Sequence, residues 1–127
     1  MTTAKGPAPG FVNHPQHVVR ILPSDHRWIV RVGGAVVASS RRALVLEESG
    51  YEPVVYFPSD DVVADWLTPI DRLTTCPFKG EAHYFTDRDA ATDEPVAWTY
   101  PSVYGEVSDI AGHIAFYNER AEVMAEP

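Results

Sequence analysis

The chain has a single cysteine, Cys76, so it can form neither an intrachain disulfide nor a multi-cysteine zinc site. It is also short of positive charge. Lys and Arg number 10 against 18 Asp and Glu, a formal charge of −8. A nucleic-acid binder needs a basic footprint to displace the counterions of phosphates, and docking on an anionic membrane needs the same, so neither partner is expected. Apolar runs such as Ala35 to Ala38 are far shorter than the ~20 residues of a membrane-spanning helix. The segment Met1 to Pro7 lacks the apolar core of a signal peptide. These absences point to a reduced, cytoplasmic protein. The histidines offer no His-X-His cluster: His14 and His17 sit in a proline-rich segment, and His26, His83 and His113 are scattered singly. Lys79-Gly80 lacks the leading Gly and the following Ser or Thr of a phosphate loop. No metal or cofactor is therefore expected.

What the chain does have is punctuation. Its 11 prolines and 8 glycines in 127 residues are too many for a helical bundle and suit a turn-rich β protein. Residues 1–15, with Pro7, Pro9 and Pro15, read as a disordered or loosely packed lead-in to a single β domain over 16–118. Residues 119–127 read as a tail able to form a short frayed helix. Val18 to Leu22 is a β-branched run stopped by Pro23. Trp28, Val30 and Val32 alternate with Arg27 and Arg31, the period of a half-buried strand. Gly33-Gly34 then predicts a tight hairpin back into Ala35 to Ala38. Further strands are expected at Ala43 to Glu47, Val54 to Phe57, Ala82 to Thr86, Pro95 to Tyr100 and His113 to Tyr117. One helix is expected after Ser59, with Asp60 and Asp61 in its first turn and Val62, Val63, Trp66 and Leu67 as its buried stripe. Pro69 would end it. The acidic stretch Asp87 to Glu94 reads as a solvated loop. Such a series predicts an all-β, mainly antiparallel fold: a sandwich, a small barrel or a pair of crossed sheets.

Chemistry-bearing residues concentrate in a few segments. In Thr75-Cys76-Pro77-Phe78-Lys79-Gly80, the lysine lies three positions from the thiol across a proline-containing loop, so the two can meet. Because an adjacent ammonium favours thiolate, Cys76 reads either as a nucleophile beside Lys79 or as an inert buried thiol. Glu47 ends a mostly apolar strand, on the face of Ala43 and Val45 and opposite Leu44 and Leu46. It reads either as a general base or ligand anchor, or as half of an ion pair with Lys79 or an arginine such as Arg31. Trp98 and Tyr100 share a strand face, and Tyr84 lies on the strand after the Cys–Lys loop. Such rings build either a core or a pocket with an apolar wall and a wet rim, which Tyr56 and Tyr117 can join.

The segments Tyr56-Phe57-Pro58-Ser59-Asp60-Asp61-Val62, Cys76-Pro77-Phe78-Lys79-Gly80 with Ala82 and Tyr84, Ala97-Trp98-Thr99-Tyr100, and Ile110-Ala111-Gly112 with Ala115-Phe116-Tyr117 occur in that order. Together they resemble the domain of unknown function 427 family, over roughly Val18 to Asn118. The family's strand-ending Glu is matched here by Glu47. Departures are Val55 for a tyrosine, Phe78 for tyrosine and Thr99 for serine. The resemblance implies a β-tent-like pair of crossed antiparallel sheets with one short helix, and no established activity. The family is sometimes labelled nucleotidyltransferase-like. Asp87-Arg88-Asp89 has the Asp-X-Asp spacing such enzymes use for metals, but only a reversed Ser49-Gly50 stands where they need a Gly-Ser helix start.

The leading expectation is a small-ligand-binding β domain. Its pocket would be formed by Glu47, Tyr56, Cys76, Lys79, Tyr84, Trp98 and Tyr100, suited to a small polar or zwitterionic molecule. Two rivals stand beside it. One is an enzyme using Cys76 or Glu47 with Lys79 stabilising a developing anion. The other is a structural or protein-interaction module, whose exposed sheet edges leave a homodimer open.

Overall fold

The computed structural model describes residues 6–88 and 94–126. Among the described residues ten strands form three small antiparallel sheets: β1 (Val19–Pro23), β2 (Arg27–Val32), β3 (Ala35–Ser40), β4 (Leu44–Glu48), β5 (Val54–Tyr56), β6 (Leu67–Cys76), β7 (Gly80–Asp87), β8 (Ala97–Thr99), β9 (Ile114–Phe116) and β10 (Glu122–Glu126). The sheet orders are β1-β4-β5, β10-β2-β3 and β6-β7-β8-β9. None closes into a barrel among the described residues, and the fold is all-β and mainly antiparallel. No helix among those residues is long and apolar enough to cross a membrane.

The four-stranded sheet has a core on each face, and its alternation shows why. Phe85 and Ala97 are cross-strand partners and pack on one side with Phe57, Val96, Ile114 and Phe116, against Trp28, Val30 and Val37 of the β10-β2-β3 sheet. The next pair, Tyr84 and Trp98, points to the other side, where Leu46, Tyr56, Tyr100, Val103 and Ile110 form a second cluster. Leu46, Tyr56, Phe57 and Val30 are almost wholly buried. Each such side chain contributes roughly 1.5–3 kcal/mol by leaving water. A bridge between Phe57 and Ile114, with both N–H···O bonds at 2.8 Å, ties the end of β5 to β9.

Gly33 and Gly34 both have positive φ, 57° and 84°, as a two-residue hairpin turn between β2 and β3 requires. Elsewhere the structure corrects the expectations. The segment after Ser59 is no α-helix. It is two 3₁₀ turns, Ser59–Asp61 and Ala64–Trp66, separated by extended Val62, and Ser59 makes no side-chain cap. The β-branched pair Val62-Val63 bonds sideways instead: Val62 bridges Ala38, and Val63 N–H donates to Val37 O at 2.8 Å. Pro69 does not terminate a helix but lies within the edge strand β6. The C-terminal segment, expected as a frayed helix, forms β10 and pairs with β2.

The expected loose lead-in is anchored over its described part. It contains one helical turn, α1 (Gly10–Asn13). Ala8 N–H donates to Glu106 Oε1, and Gly10 N–H to Pro77 O, both at 2.9 Å. Phe11 meets Phe78 edge-on at 5.0 Å between centroids.

Candidate functional site

The face of the four-stranded sheet that carries Tyr84 and Trp98 borders a cavity of about 440 Å³. Of the seven residues expected to share a pocket, six line it: Tyr56, Cys76, Lys79, Tyr84, Trp98 and Tyr100. Tyr117, the suggested addition, does too. Glu47 does not. It faces outward, 41% exposed, and accepts a 2.6 Å bond from Arg20. The carboxylate in the cavity is its neighbour Glu48. The reason is the two-residue period of a strand: Leu46 and Glu48 share a face and Glu47 takes the opposite one.

Lys79 reaches the cavity from the turn between β6 and β7. Cys76 pairs with Gly80 in register, and Pro77, Phe78 and Lys79 make the turn, closed by Lys79 N–H to Cys76 O at 3.3 Å. Gly80 has φ 135°, and a Cβ there would lie 2.8 Å from Ser102 O. Only glycine allows the turn to press against the 102–104 loop, where Tyr104 N–H donates to Lys79 O at 3.0 Å. The ammonium donates to Glu48 Oε1 at 2.5 Å and contacts Cys76 Sγ at 3.9 Å. Side-chain exposures of 9% for Lys79 and 10% for Glu48 make this a buried pair. Because Lys79 carries a charge away from water, its carboxylate partner is obligatory.

His17 completes the cluster. Its Nε2 lies 2.8 Å from Glu48 Oε2, and its ring stacks on Phe78 at 4.0 Å. His17 stands beside the proline-rich segment in sequence and was not among the expected pocket residues. Its nearness to the strand Val18 to Leu22 was the one available signal. Glu48 was missed by one position, although its sharing of a face with Leu44 and Leu46 was there to read.

The rings form the walls. Trp98 stands perpendicular to Tyr56 at 6.2 Å and lies 4.5 Å from Tyr117 between centroids. Trp98 Nε1 donates to Tyr56 Oη at 3.2 Å. Tyr84 Oη shares a 2.6 Å bond with Thr74 Oγ1, and Arg72 sits 5.5 Å over its ring. Burial, reinforced by the charge of Glu48, pushes the Tyr56 phenol well above its ordinary ionisation range. Burial does the same to Tyr100. Tyr117 is pushed up to about 12, by burial first and by the Tyr84 phenol second.

Other candidates fall elsewhere. Asp61 accepts bonds from Ser40 Oγ at 2.6 Å and Arg42 at 3.2 Å, a structural role that also replaces its expected place in a helix start. Asp87 pairs with Arg120, and Asp89 of the Asp-X-Asp motif lies outside the described residues. His83 contacts Glu81, and His113 the carbonyl of Ala111. Among the described residues, no three His, Cys, Asp or Glu side chains are grouped to hold a metal.

A family model described as Domain of unknown function (DUF427) matches residues 20–127. The chain belongs to this family. The matched span includes every cavity residue named above except His17, so the family's own segment supplies the Lys79–Glu48 pair and the ring walls. No curated protein matches the chain.

Proposed function

We propose that this DUF427 domain binds a small polar molecule in the cavity between the Lys79 turn and the Trp98 strand. The observation that carries the reading is a buried ion pair at the edge of a ring-lined hollow. Buried pairs are seldom more stabilising than apolar residues of the same volume, so fold stability alone accounts poorly for Lys79 and Glu48 in an otherwise apolar cluster. A volume of about 440 Å³ falls within the usual range for small-molecule sites. Polar groups at one end and aromatic faces elsewhere are the mixture such sites use for orientation and affinity.

A thermal-shift screen of water-soluble metabolites tests this. Ligands that raise the Tm of the intact protein should lose most of that effect in Lys79→Met and Trp98→Phe. Hits insensitive to both substitutions would overturn the reading, as would a broad screen without hits. The 3.9 Å contact between Lys79 Nζ and Cys76 Sγ favours one second reading, an enzyme with a cysteine nucleophile. Under that reading, iodoacetamide modifies Cys76 faster than a free thiol of small size at neutral pH. Resistance of the folded protein to alkylation would remove it.

A further inference from the structure

Three polar groups lining the cavity keep a hydrogen to donate, while both oxygens of its described carboxylate already accept one. Indole Nε1 only donates, so Tyr56 Oη must be the acceptor in its 3.2 Å bond with Trp98, and its own hydrogen remains to be given. That is the one hydrogen bond of the Tyr56 side chain among the described residues. Tyr100, a lining residue 8% exposed, makes no side-chain hydrogen bond among them. Lys79 Nζ has three hydrogens; Glu48 takes one, Cys76 Sγ a long one, and the third is left over. Among the described residues Glu48 is the only carboxylate in the lining, and both its oxygens are engaged, Oε1 by Lys79 and Oε2 by His17.

We infer that the ligand of this cavity presents a carboxylate to Tyr56, Tyr100 and Lys79, with a flat apolar body against Trp98 and Tyr117. The inference rests on the ligand-binding reading above and names its chemical class. A carboxylate has only lone pairs to offer, and Tyr56, Tyr100 and Lys79 each keep a hydrogen to give it. Phosphate suits the site less well. Among the described residues the lining holds no guanidinium and one ammonium, which Glu48 already shares, so a dianion would carry twice the uncompensated charge of a carboxylate. The two phenols stay protonated as donors throughout the neutral range, because burial raises both. The aromatic faces then take a planar hydrocarbon ring by stacking.

The test uses three probes sharing one ring and differing in the head: indole-3-acetate, indole-3-acetamide and tryptamine. Binding is read on the intact ¹⁵N-labelled protein from the Trp98 side-chain N–H resonance, assigned with Trp98→Phe. The carboxylate should shift that resonance saturably, at least tenfold more tightly than the amide, and tryptamine should not saturate it. Tyr100→Phe keeps the ring and removes one charge-assisted bond, so it should weaken the carboxylate about tenfold and the amide less. Glu48→Gln removes the competing negative charge and should tighten the carboxylate. If that variant does not fold, Tyr100→Phe decides alone. Equal or tighter binding of tryptamine or the amide would overturn the inference and leave the ligand-binding reading intact. Silence from all three probes would overturn the inference as well, and the metabolite screen would then judge the broader reading separately.

Discussion

Two adjacent glutamates show how little sequence distance means for energy. Glu47 and Arg20 are half in solvent, where Coulomb attraction is screened and two long side chains must be held in place. Glu48 and Lys79 are nine-tenths buried, where the loss of either partner strands a charge. Glu47→Gln should therefore change unfolding stability by less than about 0.5 kcal/mol. Glu48→Ala should cost about 3–5 kcal/mol. Joint replacement by Glu48→Leu and Lys79→Met should recover most of that loss, since neither charge remains to be solvated. Urea denaturation of the three variants beside the wild type checks the series. A double variant no more stable than Glu48→Ala would show that packing, rather than the stranded ammonium, sets the cost.

Asp61 belongs to the same scale and makes an acid-side prediction. The Ser40 hydroxyl, and then Arg42, hold its carboxyl below the ordinary value of 3.8. The folded state therefore gives up the proton more readily than the unfolded chain. Its stabilisation is present above the unfolded value and fades as pH falls below 3.8 through the folded one. Urea midpoints measured from pH 5 down to pH 2 should fall less steeply for Asp61→Asn than for the wild type. Equal slopes would mean that the Ser40–Asp61–Arg42 contacts carry no net energy.

At the scale of elements, the turn between β6 and β7 is the part on which the site most depends. Gly80 has a φ that side chains rarely adopt, and Ser102 O fills the space a Cβ would need. Gly80→Ala should lower stability by about 2 kcal/mol or more, through backbone strain and steric overlap together. It should also shift the Trp98 side-chain resonance, because the turn that carries Lys79 has to move. A Gly80→Ala protein with native stability and an unmoved Trp98 signal would contradict this account. The strands best legible in the sequence are those with one face on a core: Trp28, Val30 and Val32 alternate because Val30 is buried. β6 left no such trace. It is an edge strand exposed along most of its length, so nothing selects alternating polarity, and its bulge and Pro69 break the register that remains. β10 was hidden similarly, since Glu122 and Glu126 read as helix formers until β2 offers them a strand to pair with. Of the helically spaced Val62, Val63, Trp66 and Leu67, an extended, twice-turned segment packs Val62, Trp66 and Leu67 against one core, while Val63, expected in the buried stripe, is half exposed.

At the scale of the whole molecule, the cavity exists because segments distant in sequence converge on one side of the four-stranded sheet. Its rings were legible in the segments that carry the family pattern. Its carboxylate and histidine were not, because strand phase and the path of the N-terminal segment are settled only by packing. That convergence has a measurable consequence at high pH. Tyr56 ends β5, Tyr100 follows β8 and Tyr117 follows β9, yet burial raises all three phenols together. In the unfolded chain each would ionise near 10. A group whose folded value is raised binds its proton longer in the native state, so its contribution is complete below pH 10 and is lost above it. For Tyr117 the loss is spread between 10 and about 12, and for the other two it continues higher. Absorbance at 295 nm should therefore show fewer than the 6 tyrosines ionising up to pH 11 while circular dichroism stays native. The remainder should appear in one cooperative step coincident with unfolding. Replacing Tyr100 by Phe should move that step to higher pH, because one of the three opposing ionisations is gone. If instead all six phenols titrate smoothly before any change in circular dichroism, the rings lie in water and the cavity they are said to enclose is open.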